Sequence, residues 1–306
     1  MSAPTVLERE TAFVLEPLGE FSLRAAARFW GGFTPASHSG LDAEGHLHMA
    51  FAVEGSWASA GVCVREVDGD LVGRAYGDVA AEAVQRQTAR ILSLDVDGRA
   101  FAEVGRRDPV AAELQQRFVG LRPVCFYSAY EAAAWAIISQ RIHNQQAAAV
   151  KARLAEALGE LVSIHGQPMR AFPGPHVLAR LQEFAGLFGS KVANLRALAN
   201  AALAGELESA YLRSLPDTQA LALLQALPGI GPFSSQLILL RGAGHPDFLT
   251  LMEPRFRRAV TRAYALDHEA SDEDLQRISA AWRPYRMWMT FLLRQEYERS
   301  PAVSAR

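Results

Sequence analysis

The sequence predicts an α+β protein in two parts, an N-terminal antiparallel sheet domain with helices over residues 1–105 and an all-α domain over residues 106–306. Three observations carry this division. Between His46 and Tyr76 apolar and polar residues partly alternate, the two-residue period of half-buried strands. From Ser128 onward the chain is rich in alanine and other good helix formers at helical spacing. The charge also separates: residues 1–100 hold eight arginines against fourteen acidic residues, a balance of −6, whereas the remainder holds 23 basic against 19 acidic residues, or +4.

In the first part, His46 to Val53 and Val62 to Val67 read as strands, and Asp68-Gly69-Asp70 turns the second into Leu71 to Tyr76. Ala80 to Leu94 then places Val84, Ile91 and Leu92 at helical spacing, with Gln85, Arg86, Gln87 and Arg90 around the rest of the axis, as for a helix covering the sheet. Asp95-Val96-Asp97-Gly98 marks the exit, and Gly105 to Pro109 the junction with the helical part. Tyr130 to Leu158 is helical with a break at Ser139-Gln140-Arg141-Ile142-His143-Asn144. Phe172-Pro173-Gly174-Pro175 opens a further helix, and Gly189-Ser190-Lys191 leads into Val192 to Ala204.

The segment with the most chemical content is Leu227-Pro228-Gly229-Ile230-Gly231-Pro232-Phe233, set between two helical stretches. Glycines at 229 and 231 put no β-carbon between the main chain and an approaching phosphate. Pro232 starts a helix whose unpaired N–H groups and positive dipole end face such an anion. Read without further context, the segment is either a grip on the nucleic-acid backbone or an ordinary helix–turn–helix corner. Arg255, Arg257, Arg258 and Arg262 lie on one later stretch, suited to phosphate neutralisation or to a solvated helix face.

Together with the residues C-terminal to it, the hairpin resembles the helix-hairpin-helix DNA glycosylases, and most nearly the bacterial 3-methyladenine DNA glycosylase II branch, over roughly residues 109 to 295. The similar residues are the hairpin, Leu239-Leu240-Arg241-Gly242-Ala243-Gly244, and an acidic residue, Glu253, opening another helix at Pro254. The resemblance implies a monofunctional glycosylase of base-excision repair that everts a damaged, alkylated base from double-stranded DNA and hydrolyses its glycosidic bond. Glu253 falls where the family carries a catalytic aspartate, so the alternative implied is a homologue that binds damaged DNA without cleaving it. Ile138 to Ile142 occupies the place of the family's gap-filling turn, with Arg141, or its neighbour Gln140, as the inserted side chain. Implied DNA contacts are Gln140, Arg141, Leu227, Gly229, Ile230, Gly231, Ser234 and Arg255. Implied base-pocket residues are Phe233, Leu237 and Trp288. Trp288 also belongs to the Trp282-Arg283-Pro284-Tyr285-Arg286 segment, whose aromatics are expected mainly in the core. Leu237 and Arg294 replace aromatics of the close relatives, and Phe233 stands where lyase-competent relatives carry a lysine. Lys191 is a further candidate for phosphate, and Asp247 is the fallback acid.

The other functional classes are disfavoured by composition. No apolar run reaches about eighteen residues, and the N-terminus with Glu8, Arg9 and Glu10 lacks a signal-peptide layout, so a cytoplasmic protein, at the nucleoid, is expected. Cys63 and Cys125 are too few for a four-thiolate cluster, and reduced thiols are expected. Asp68-Gly69-Asp70 and Asp95-Val96-Asp97-Gly98 lack a calcium loop's twelfth ligand, having Val79 and Arg106 there. His46 and His48 share a strand face but have no compact third and fourth ligand, so no metal is expected. No cofactor is required, although the resemblance allows a monovalent cation at the hairpin carbonyls when DNA is bound. The expected partner is lesion-bearing duplex DNA, bound by a monomer.

Overall fold

A computed structural model describes residues 9–36 and 40–299, so Glu8 of the N-terminal reading lies outside the described residues. Strands β1 (Glu10–Leu15), β2 (Leu47–Ala52), β3 (Ser59–Val67) and β4 (Asp70–Tyr76) form one antiparallel sheet in the order β1-β4-β3-β2. Asp68 and Gly69 both have left-handed backbones (φ 51° and 92°), and Val67 sits opposite Asp70. This is the two-residue turn whose twist matches that of a hairpin. One sheet face buries Leu47, Met49, Phe51, Val62 and Val64 together with residues of helices α1 (Leu23–Gly31) and α2 (Ala81–Ile91). β1 and α1 were not anticipated, because only Phe13 and Leu15 of β1 are buried and so short an alternation carries little signal.

α2 turns Val84 and Ile91 inward as expected, but two of its polar residues do not face water. Gln87 donates to the carbonyls of Ala52 (3.0 Å) and Tyr127 (2.8 Å), and Arg90 donates to those of Phe126 (3.2 Å) and Gly242 (2.6 Å). Buried carbonyls need donors, and these side chains supply them where the sheet meets the helical part.

The later helices are α3 (Phe101–Arg107), α4 (Pro109–Arg117), α5 (Ala129–Ile138), α6 (Asn144–Leu158), α7 (Pro175–Leu178), α8 (Lys191–Leu203), α9 (Ser209–Ser214), α10 (Asp217–Gln225), α11 (Pro232–Leu237), α12 (Pro254–Ala263), α13 (Asp272–Ser279) and α14 (Arg286–Arg299). A π turn over Ile238–Gly242 continues α11. Gly105 lies inside α3, and the chain breaks instead at Asp108, whose carboxylate accepts the Val110 and Ala111 N–H groups and caps α4. Around α5, whose ten residues are all buried, the helices share one large core. Among the described residues no helix is long and apolar enough to cross a membrane.

The chain after Ser128 is not wholly helical. Between α6 and α7 it makes a hairpin, β5 (Leu161–Ile164) and β6 (Gln167–Arg170), whose strands are too short for a period to show. Ile164 is fully buried against Cys63 and Tyr76 on the outer face of the main sheet. The hairpin turn thereby brings His165 to His46, His48 and Cys63. The expectation that the two strand histidines have no third and fourth companion is therefore corrected: the companions come from the neighbouring strand and from a hairpin distant in sequence.

Candidate active site and nucleic-acid interface

The two hairpin glycines serve different ends. Gly229 is left-handed (φ 85°), and a Cβ there would fall 2.4 Å from Asn194 Nδ2, so the fold itself requires glycine. Gly231 is extended (φ −97°), and a Cβ there would meet nothing within 4 Å. Its bareness serves the surface rather than the fold. Ile230 is buried and anchors the loop, its N–H donating to the Leu227 carbonyl at 3.0 Å. Pro232 occupies the first turn of α11, where the N–H groups of Phe233 and Ser234 have no intrahelical acceptor.

The break between α5 and α6 lies against this hairpin. Gln140 Nε2 donates to the Gly229 carbonyl at 2.5 Å, which commits Gln140 to holding the two loops together. Its neighbour Arg141 is exposed with a left-handed backbone (φ 56°). Of the two gap-filling candidates, then, Arg141 is the one whose side chain points away from the fold. Lys191 is not available for phosphate: it is buried, and its Nζ donates to the Ile138 carbonyl at 2.8 Å, closing the end of α5. Among the α12 arginines, Arg255, Arg258 and Arg262 are exposed. Arg257 is tied to Asp272 (2.5 Å) and to the Leu251 carbonyl (2.9 Å).

Beside the hairpin opens a cleft of about 560 Å³, lined by Phe233 and Leu237 of α11, by Phe29 and Phe33 from the N-terminal part, and by Glu253 and Arg294. A volume of a few hundred Å³ is that of small-molecule sites. Arg241, which also lines the cleft, is sandwiched by aromatic rings, 4.8 Å from the Phe33 centroid and 5.2 Å from that of Phe291, and donates to the Val124 carbonyl at 3.0 Å. Burial pushes its pKa down to about 10, so it is a cation at neutral pH. Phe29 and Phe33 were missed as site residues. Phe29 lies in the last turn of α1 and Phe33 beyond its Gly32 cap, so no periodicity announces that the two rings meet in one cleft.

Glu253 stands at the N-cap of α12. Its Oε1 accepts the Arg255 N–H (3.2 Å), its Oε2 accepts the Phe256 N–H (2.7 Å), and Arg294 Nη1 lies 2.7 Å from Oε2. With 16% of its side chain exposed it faces the cleft rather than bulk water. Arg294 also pairs with Glu298; burial would lower its pKa, but the two carboxylates outweigh burial and the net direction is up. Asp247 is spent elsewhere, bound to Arg286 (2.9 Å) and Arg283 (3.1 Å) at the start of α14. Trp288 is a correction to the pocket reading. It is 2% exposed and packs on Phe101 and Tyr285 with the Arg122 guanidinium 5.1 Å from its ring. Its indole fills the core, as the other aromatics of its segment do.

No family model matches the chain. It is 24% identical over 204 residues to a DNA-3-methyladenine glycosylase of Bacillus subtilis, covering 65% of this chain and 67% of that protein. It is 31% identical over 204 residues to a probable bifunctional transcriptional activator/DNA repair enzyme AlkA of Mycobacterium tuberculosis, covering 66% of this chain but only 40% of that relative. The fold matches that of a 3-methyladenine DNA-glycosylase from Archaeoglobus fulgidus with a TM-score of 0.73 at 20% identity, over 94% of this chain and 98% of the other. The chain has the fold of the DNA glycosylases. A second structure of this fold, a Clostridium acetobutylicum 8-oxoguanine glycosylase/lyase in complex with double-stranded DNA, aligns with a TM-score of 0.64 at 17% identity over 91% of this chain and 92% of its own. The sheet part is included in the match, which runs well beyond the hairpin and its neighbouring helices.

Proposed function

We propose that this protein is a monofunctional DNA glycosylase that everts an alkylated base from duplex DNA and hydrolyses its N-glycosidic bond. The observation that carries the reading is Glu253, a carboxylate fixed on a helix cap inside a cleft that also exposes the Phe233 ring. In this reading Gly231 and the first turn of α11 bind a phosphate, the exposed α12 arginines neutralise its neighbours, and Arg141 fills the gap in the stack. Phe233 stacks on the everted base, and a ring face favours a base that carries positive charge. As the base departs, the sugar gains positive charge, which Glu253 stabilises. Water adds hydroxide to C1′ and releases a proton, leaving a free base and an abasic site. Phe233 offers no amine, so no Schiff base forms at its position and the chain is not cut.

Hydrolysis of this kind needs no cofactor. The Gln140 amide occupies one of the two lone pairs of the Gly229 oxygen, which leaves the other for a monovalent cation when DNA is bound. A monomer acting on DNA in the cytoplasm accords with this reading. A second reading, binding of damaged DNA without excision, is favoured by one observation, that Arg294 neutralises the carboxylate at contact distance. The test is a panel of duplexes, each with one alkylated, deaminated or oxidised base, incubated with the protein and then treated with alkali. Strand cleavage is expected with the alkylated base. No cleavage on any duplex, with lesion-selective binding retained, would leave the second reading standing.

A further inference from the structure

We propose that His46, His48, Cys63 and His165 form a structural zinc-type site that clamps the β5–β6 hairpin to the outer face of the four-stranded sheet. Their ligand atoms all lie within 4.8 Å of one another. His46 and His48, two residues apart, share a strand face, and Cys63 is the direct register partner of His48 on β3. His165 arrives from the opposite side at the left-handed tip of the hairpin (φ 51°), and its ring centroid is 5.7 Å from that of His46 and 5.5 Å from that of His48. Three imidazoles and one thiol are a complete donor set for a tetrahedral, closed zinc site.

The spacing needs only a small contraction. Zn–N bonds of about 2.0–2.1 Å and Zn–S of about 2.3 Å put tetrahedral ligands roughly 3.4–3.7 Å apart, so the cluster closes with side-chain shifts of about 1 Å. His165 is exposed at the hairpin tip, so the ion has a way in from solvent. The surroundings suit a dication. Asp42 Oδ2 is 3.5 Å from both His46 Nδ1 and His48 Nε2, and on binding Cys63 releases its proton to solvent and becomes a thiolate. Thiolate and carboxylate together balance two positive charges. The Tyr76 hydroxyl, 3.2 Å from His165 Nδ1, can fix the orientation of that ring while its other nitrogen binds the ion. The sheet and the hairpin already touch through Ile164, and the ion would make that contact a cross-link.

The proposal is independent of base excision, and so is its test. The full-length protein is stripped with a chelator and titrated with zinc against a colorimetric indicator, and separately with cobalt(II) followed by absorption. One ion per chain is expected, with intense tetrahedral cobalt bands and a thiolate-to-cobalt charge-transfer band that disappears in Cys63→Ser. His165→Asn keeps a residue that tolerates the left-handed backbone, so the metal-free melting temperature should match that of the parent. Its zinc affinity should fall on the order of 100-fold or more, since losing a ligand costs at least what losing a group that orients one does. Zinc should raise the melting temperature of the parent and not of this variant. No stoichiometric binding, a cobalt spectrum without the thiolate band, or equal zinc affinity in His165→Asn would overturn the proposal.

Discussion

Arg294 Nη1 lies 2.7 Å from Glu253 Oε2, the same oxygen that accepts the Phe256 N–H at 2.7 Å, while Oε1 has only the longer bond from Arg255 N. The carboxylate is thus held from one side and keeps lone-pair capacity on Oε1. The guanidinium fixes the acid and also offsets the charge that a developing sugar cation would feel.

Replacing that cation should reveal the balance. Arg294→Met keeps an apolar side chain of similar reach and leaves both backbone bonds to Glu253 intact. We expect single-turnover base release from an alkylated duplex to rise about tenfold, equivalent to about 1.4 kcal/mol of barrier. Stability should fall by about 1–2 kcal/mol, because a partly buried ion pair loses one member. A fall in base release would show that Arg294 positions the acid more than it opposes it.

Glu253→Gln makes the opposite prediction. The amide oxygen can still accept one cap N–H of α12, but the pair with Arg294 is broken as in Arg294→Met, so stability to urea should fall by a similar amount, about 1–2 kcal/mol. The negative charge is gone, and base release should drop on the order of 10²–10³-fold with lesion binding retained. Equal rates for parent and variant would remove Glu253 from the chemistry.

The sequence disclosed those parts of this site whose information is local. Gly229, Gly231 and Pro232 declare a hairpin because backbone conformation is encoded residue by residue. Glu253-Pro254 declares a helix start for the same reason. Arg294 beside Glu253, Phe29 beside Phe33 in the cleft, and Trp288 sealed in the core depend on which helix faces which, and periodicity does not specify that. The α+β class was legible from the alternation around Met49 and Val62 and the alanine-rich run of α5. The β5–β6 hairpin was not, since its strands have four residues each and only Ile164 is buried. With it went His165, the one member of the cluster that the hairpin carries.

The hairpin glycines separate folding from binding. Gly229→Ala forces a side chain into a left-handed backbone and against Asn194, so it should cost about 1–3 kcal/mol of stability. Gly231→Ala adds a methyl in open space on an extended backbone and should leave the denaturation midpoint nearly unchanged. If phosphate approaches the main chain there, the second variant should nonetheless weaken duplex affinity, measured by fluorescence anisotropy, by about tenfold. Unchanged affinity in Gly231→Ala would move the phosphate site away from this turn.

Arg141 holds an unfavourable backbone for a side chain that the fold does not use, an arrangement expected at a functional position rather than a structural one. Arg141→Gly relieves roughly 1–2 kcal/mol of left-handed strain and adds back roughly 0.5–1 kcal/mol of chain entropy, so stability should be unchanged or raised by up to about 1.5 kcal/mol. Binding discriminates between two roles. A gap-filling guanidinium touches DNA only where a nucleotide has left the stack, so the variant should lose about 1–3 kcal/mol of affinity for an abasic duplex and little for an intact one. A phosphate contact instead weakens both duplexes alike and lowers the salt slope by about 0.9. Titrating parent and variant against both duplexes at several salt concentrations therefore reads out the position of one side chain, and parallel loss on the two duplexes would assign Arg141 to the backbone rather than to the gap.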